Sequence, residues 1–347
     1  MIELSVAAQP QPVPIPRRRA VAVAGLILLL TTLLALFTYK WSGSVRTIES
    51  VRAAGWTKSP DAITTGGVLK TTINYFGRVW IALVFGILIG AAVRALLSPK
   101  WIVALLGQGG TVRRQLSGGL SGAPLMLCSC CVTPIFTSVY ERGARLGSAL
   151  SMMLASPGLN LAALVLTFML FPLNLSLARL GAALAAVFLL PVLLERLFGG
   201  TLKPVLPPGG VEEGPRSFRD FGIRYFKSVG YLTAVTLPLI TAGVLLSGLL
   251  LPYGISGTGG RAVLAVLGVA AISVVVALPT FFEIPLAILL LQMGSPGAAA
   301  ALLFAGPIAN LPSLFVLARE TSWKVSVGLA TGIWLLAVVA GLGVSFS

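Results

Sequence analysis

The sequence predicts an all-α, polytopic membrane protein: an inverted-repeat helical bundle with two broken or re-entrant hairpins. Three observations carry this. The 347 residues are 56% hydrophobic and only 10% charged, where a soluble domain carries about 25% charged residues. A set of patches recurs at a single offset of 150 residues. And Gly, Pro and Ser interrupt the apolar sequence at 118–160 and again at 262–292. Backbone broken at membrane depth is tolerated only where it is buried in protein or lines a cavity.

Taken in order, residues 1–19 read as a disordered cytoplasmic N-terminus, polar, Pro-rich and ending in Arg17, Arg18 and Arg19. An extra N-terminal transmembrane helix follows at 20–39; its apolar run is too long for a signal peptide and no small-residue cleavage site follows. Residues 40–70 read as an outside loop with five basic residues against two acidic ones, the one violation of the positive-inside pattern. The first transmembrane repeat is placed at 70–196, with spans near 73–97, 147–171 and 175–195 and a broken hairpin at 118–139. A cytoplasmic linker at 197–225 carries Pro204, Pro207, Pro208, Gly209 and Gly210 and then a run of charges. The second, inverted repeat fills 226–347, with spans near 226–251, 296–317 and 324–345 and a broken stretch at 262–292. At about 20 apolar residues per span, the chain has room for roughly seven to nine.

The net charge of +15 is gathered at span ends, so it reads as topology and headgroup attraction. No compact basic domain is present, and nucleic acid is excluded as a partner. The chain has no histidine, which removes His-ligated metal sites, His bases and His proton relays together. Its three cysteines at C-x-C-C spacing are too few and too close for a disulfide framework.

The repeat is legible without gaps. Ile73, Tyr75, Phe76 and Val79 fall on Ile223, Tyr225, Phe226 and Val229; Gly147 falls on Gly297. Ala155-Ser-Pro157-Gly-Leu-Asn160 falls on Ala305-Gly-Pro307-Ile-Ala-Asn310. A first copy whose opening span runs inward and a second whose opening span runs outward are inverted, the common architecture of secondary transporters.

Several residues could carry chemistry. Cys128, Cys130 and Cys131 offer soft, nucleophilic sulfur. On a helix Cys128 and Cys131 share a face; on an extended stretch Cys128 and Cys130 do. Packing is the alternative role, since cysteine is a small apolar residue. Asn160 and Asn310 each sit three residues after a proline and are read as a symmetric substrate-binding pair, a role compatible with repairing hydrogen bonds broken by Pro157 and Pro307. Pro134, Pro157, Pro279, Pro285 and Pro307 are read as helix breaks. Glu283, between Pro279 and Pro285, is the one acidic residue deep in an apolar stretch. It is the coupling candidate, with an ion pair to an arginine of another span as the alternative. Arg78 and Arg179 are read as structural residues near span ends that reach the interface, and Met126, Met152 and Met153 as core filler.

Gly122-Ala-Pro124, Cys128-Ser-Cys130, Pro134, Gly147 and Ala155-Ser-Pro157-x-x-Asn160 together resemble the predicted permease family that contains ArsP and YraQ. The resemblance covers both halves, roughly 70–345, and leaves out the N-terminal span. It implies efflux of trivalent organoarsenicals, with arsenic engaged by Cys128 and Cys130. Many relatives have glycine where this chain has Cys131.

The function expected is a secondary-active permease of the inner membrane, N-terminus cytoplasmic, exporting a small thiol-reactive solute. Its partners are that small-molecule substrate and the lipid bilayer; a homo-oligomer is compatible with such a chain. No cofactor, resident metal or enzymatic activity is expected, and no G-x-x-x-x-G-K-[ST] motif points to ATP. A membrane thiol–disulfide relay is the alternative, although the second half has Leu278, Thr280 and Phe281 where the cysteines recur. A permease for another solute, with incidental cysteines, is a third reading.

Overall fold

The structure, a computed structural model, describes residues 15–54, 67–96, 106, 109–199, 215, 217–255, 262–278 and 283–346. Its regular elements are all helical, with no strand among these residues. The elements are α1 (Ile15–Ala54), α2 (Gly67–Leu96), α3 (Thr111–Gly122), α4 (Ser129–Glu141), α5 (Leu146–Gly158), α6 (Leu161–Leu170), α7 (Leu173–Phe188) and α8 (Leu190–Phe198). They continue with α9 (Phe218–Ile255), α10 (Ala262–Val275), α11 (Glu283–Gln292), α12 (Pro296–Ile308), α13 (Leu311–Glu320) and α14 (Trp323–Ser345).

The chain is a multi-pass membrane protein. Among the described residues three helices are long and apolar enough to span a bilayer: 20–46 within α1, 173–198 and 323–345. Two more spans follow if each bent pair counts as one, α5 with α6 at 43° and α12 with α13 at 45°. The two bends have a common sequence cause. Pro157 and Pro307 sit one residue before the last of α5 and α12, and Asn160 and Asn310 cap the helices that follow. The bounds of α5 and α12, and those of α6 and α13, are each 150 residues apart.

Three boundaries differ from the sequence reading. Helix α1 begins at Ile15, inside the stretch read as disordered, and runs to Ala54, through much of the expected outside loop. Lys40, Arg46, Glu49 and Arg52 fall on that helix; long-chained Lys, Arg and Glu are good helix formers even where they end an apolar run. The polar linker is shorter than 197–225, because α8 reaches Phe198 and α9 opens at Phe218; residues 200–214 lie outside the described ones, as do 1–14.

Small residues let the helices meet backbone to backbone, the packing device of helices that have no hydrophobic driving force between them. Gly86 and Gly90 of α2 face α4. A Cβ at Gly86 would collide with the Cys131 carbonyl, and one at Gly90 would lie 2.7 Å from the Pro134 carbonyl. Gly118 and Gly122 of α3 face Ser148 and Met152 of α5 in the same way, and Gly297 and Gly341 bring α12 against α14. These contacts press the cysteine segment into the bundle core, between α2 and α5. At one end of the bundle Glu141 of α4 pairs with Arg94 of α2 at 2.5 Å and accepts a hydrogen bond from Tyr231 of α9 at 3.0 Å. Arg94 also lies 4.1 Å over the Tyr231 ring, which ties three helices together.

Candidate substrate site

The cysteine segment begins at a break. Helix α3 ends at Gly122, a 3-10 turn covers Ala123–Leu125, and Met126 takes left-handed backbone at φ 48°, the one non-glycine residue to do so among the described residues. Such backbone costs on the order of 1–3 kcal/mol and persists where the surroundings enforce it. Here α5 and Asn160 enforce it. The Leu127 N–H donates to Ser156 Oγ at 2.9 Å, Ser156 Oγ lies 3.3 Å from the Leu127 carbonyl, and Asn160 Nδ2 donates to the Met126 carbonyl at 3.4 Å. The Ser156-Pro-x-x-Asn160 motif thus holds the backbone that leads into Cys128.

Cys128 is the N-cap of α4, with extended backbone, and Cys130 and Cys131 lie in the first turn. The cap geometry brings all three sulfurs together, which neither a plain helix nor a plain strand would do. Sγ separations are 3.2 Å for Cys128–Cys130, 2.8 Å for Cys128–Cys131 and 3.8 Å for Cys130–Cys131. All three are buried, and none is in a disulfide.

Pro134 does not break α4; the helix runs through it to Glu141. A proline N–H is missing four residues after Cys130, and the Thr133 hydroxyl takes the freed Cys130 carbonyl at 2.6 Å. A proline in a helix interior costs about 3 kcal/mol, and one such hydrogen bond returns roughly 1 kcal/mol of it. Ser129 takes no part in this repair, since its buried hydroxyl has no partner among the described residues. Pro285 is also no break. It sits in the first turn of α11, where the amide it lacks would have no intrahelical acceptor. Pro279 lies outside the described residues.

A small, partly open cleft is lined by Leu127, Cys128, Pro157, Asn160, Ala163, Leu278, Glu283 and Pro307. Cys128 therefore shares one space with Asn160 and with Glu283, which is 155 residues away in the chain. The cleft is built from matching places: Pro157 and Pro307 both line it, and so do Cys128 and Leu278, each pair 150 residues apart. Asn160 Oδ1 also accepts from the Ala163 N–H at 3.3 Å, so capping and lining fall on one side chain. Asn310 is not among the lining residues. It forms a capping box with Ser313, accepting from the Ser313 N–H at 3.1 Å, and its buried Nδ2 has no partner among the described residues.

Glu283 is fully buried and pairs with Arg179 of α7 at 3.3 Å. Arg179 is itself buried at 2% exposure, and its Nη1 donates to Thr167 Oγ1 at 2.5 Å. The reading of Arg179 as an interfacial residue is corrected: it lies inside the bundle, held by a hydroxyl and a carboxylate. The side chain of Arg78 lies outside the described ones.

Similarity to known proteins agrees with this architecture. The family described as a predicted permease, ArsP_1, matches residues 64–203. The UPF0718 protein YraQ of Escherichia coli (strain K12) is 31% identical over 293 residues, covering 82% of this chain and 81% of that protein. The chain belongs to this predicted permease family, UPF0718. A second relative, the UPF0718 protein MJ0584 of Methanocaldococcus jannaschii, is 26% identical over 136 residues, 38% of this chain and 36% of its own. No solved structure matches the chain.

Two residues that hold neighbours of the candidate site, Ser156 on Leu127 and Arg179 on Glu283, were not singled out for this from sequence. Ser156 had a signal, since it stands beside Pro157 in the repeated motif. Arg179 had only its charge in an apolar run, and its partner is 104 residues away. Met126, Met152 and Met153 are buried core residues, at 2%, 3% and 1% exposure.

Proposed function

We propose that the chain is a secondary-active permease that exports a small thiol-reactive solute, such as a trivalent organoarsenical, through the cleft beside Cys128. The observation that carries this reading is the shared lining: a thiol, an amide and a carboxylate on one small space, bounded by a proline from each of two matching helix breaks. A monoalkyl arsenic(III) dihydroxide exchanges two hydroxides for two thiolates. Two As–O bonds break and two As–S bonds form, the two thiol protons leave in two waters, and no oxidation state changes. The bond is labile to further thiol exchange, which suits pick-up on one side and release on the other.

The two halves, 70–196 and 226–347, are read as inverted copies of one fold. The pairing of α2 with α9, of α5 with α12 and of α7 with α14 supports this, because a two-fold axis brings matching helices together. The membrane is the inner membrane with the N-terminus cytoplasmic, on the strength of the basic residues near the ends of spans. Glu283 is the coupling residue in this scheme. Protonation would release its hold on Arg179 as the cleft changes its open side.

Uptake into everted vesicles tests the proposal, comparing methylarsenite, arsenite and a non-metalloid thiol compound with and without a proton gradient. Gradient-dependent accumulation of at least one arsenical, and none of the control compound, is expected. Equal accumulation in vesicles lacking the protein would sink it.

A further inference from the structure

Cys131 has no part in two-thiol capture of a monoalkyl centre, yet it is fully buried with its Sγ 2.8 Å from that of Cys128. We infer that Cys128, Cys130 and Cys131 form a three-sulfur site for a trivalent centre with three exchangeable ligands, an inorganic group-15 hydroxide such as arsenite or antimonite. This rests on the proposed permease function and names a substrate class within it.

Geometry comes first. The three sulfur atoms lie within 4.8 Å of one another. Thiolates bound about 2.3 Å from one ion, as around zinc, lie within roughly 4 Å of each other. The triangle is thus closed enough for one centre to bridge all three with small side-chain rotations. Cys128 lines the cleft, whereas Cys130 and Cys131 do not. A solute meets Cys128 first and is passed inward to the other two.

Charge decides which centre. Three thiolates carry three negative charges into a site at 4%, 0% and 0% exposure. An uncompensated buried charge is expensive. A trivalent centre gives a neutral complex. A monovalent soft ion leaves two negative charges in that buried site. Arg179, whose partner Glu283 lines the cleft, is already paired with that carboxylate. A divalent ion such as zinc leaves one negative charge and takes a fourth ligand in a tetrahedron. Among the described residues the ligand cluster holds the three cysteines and no carboxylate, and the chain has no histidine. A trivalent group-15 centre keeps a lone pair where zinc wants that fourth ligand.

The step balances without an oxidant. A trihydroxide exchanges three hydroxides for three thiolates; three element–sulfur bonds form, three oxygen bonds break, and the three thiol protons leave in three waters. A monoalkyl centre has two such positions and leaves Cys131 a thiol.

The test is X-ray absorption at the arsenic edge on the purified full chain, loaded with arsenite or with methylarsenite, for the native protein and Cys131→Ser. Native protein is expected to show three sulfur neighbours per arsenic with arsenite and two with methylarsenite. Cys131→Ser should bind arsenite at least about tenfold more weakly, with two sulfurs, and keep its methylarsenite affinity within about threefold. Two sulfurs around arsenite in the native protein, or unchanged arsenite affinity in Cys131→Ser, would overturn the inference. The native spectra decide the matter even if the variant misfolds. Methylarsenite bound by two sulfurs with no arsenite bound overturns this inference alone, whereas binding of neither overturns the thiol mechanism itself.

Discussion

Replacing either partner of the buried ion pair alone, Arg179→Gln or Glu283→Gln, should destabilise the folded protein by about 3–5 kcal/mol. Both side chains are nearly inaccessible, at 2% and 1% exposure, so water cannot solvate the charge left behind. After Glu283→Gln, Arg179 keeps the Thr167 hydroxyl but loses its carboxylate. After Arg179→Gln, the carboxylate at the start of α11 loses its paired guanidinium, and the field of the helix N-terminus offsets only about 1 kcal/mol of that loss. The double change Arg179→Met with Glu283→Gln removes both charges and should recover most of the loss, because a buried pair is seldom more stable than its apolar replacement. Thermal unfolding of the four proteins in one detergent compares their stabilities. If the two single changes are as stable as the parent, the groups are not charged against each other in the core. Uptake separates stability from coupling: the double variant should fold, retain arsenical binding and lose the response to a proton gradient.

Cys128→Ser should reduce uptake of methylarsenite to background. Cys128 is the thiol that lines the cleft, and a hydroxyl is a hard, weak ligand that does not take the place of soft sulfur at arsenic. Serine also buries a hydroxyl at a site of 4% exposure, at a cost of about 1–3 kcal/mol. Cys128→Ala is therefore the companion variant, since it loses the sulfur without adding a polar group. Both should be inactive, and the alanine variant should be the more stable. Uptake that survives in a folded Cys128→Ala protein would make the cysteines incidental to transport.

What could be read from the sequence was what repeats or what lipid forbids. The bent pairs follow from Pro157 and Asn160, Pro307 and Asn310: a proline near a helix end favours a stop, and an amide three residues later offers the cap of the next helix. The convergence of the cysteines was half-legible. Spacing gives two candidate pairs, but the cap at Cys128 depends on left-handed backbone at Met126, which Ser156 and Asn160 impose from another helix. Pro134 misled because local propensity argues for a break, while tight packing of α4 on Gly86 and Gly90 and the Thr133 hydrogen bond keep the helix whole. Arg179 was misplaced for a similar reason. Its position in the chain says only that it is charged and apolar-flanked, and whether it reaches outward or inward is decided by Thr167 and Glu283.

The most direct test asks whether the Cys128 sulfur faces a pathway or a sealed core. A protein carrying Cys130→Ser and Cys131→Ser keeps Cys128 alone, in right-side-out or everted vesicles. A membrane-impermeant maleimide is then added to one side at a time. Labelling of Cys128 from each side in turn is the result predicted. No labelling from either side, in vesicles whose protein labels fully once denatured, would show that Cys128 is packed away from any route across the membrane.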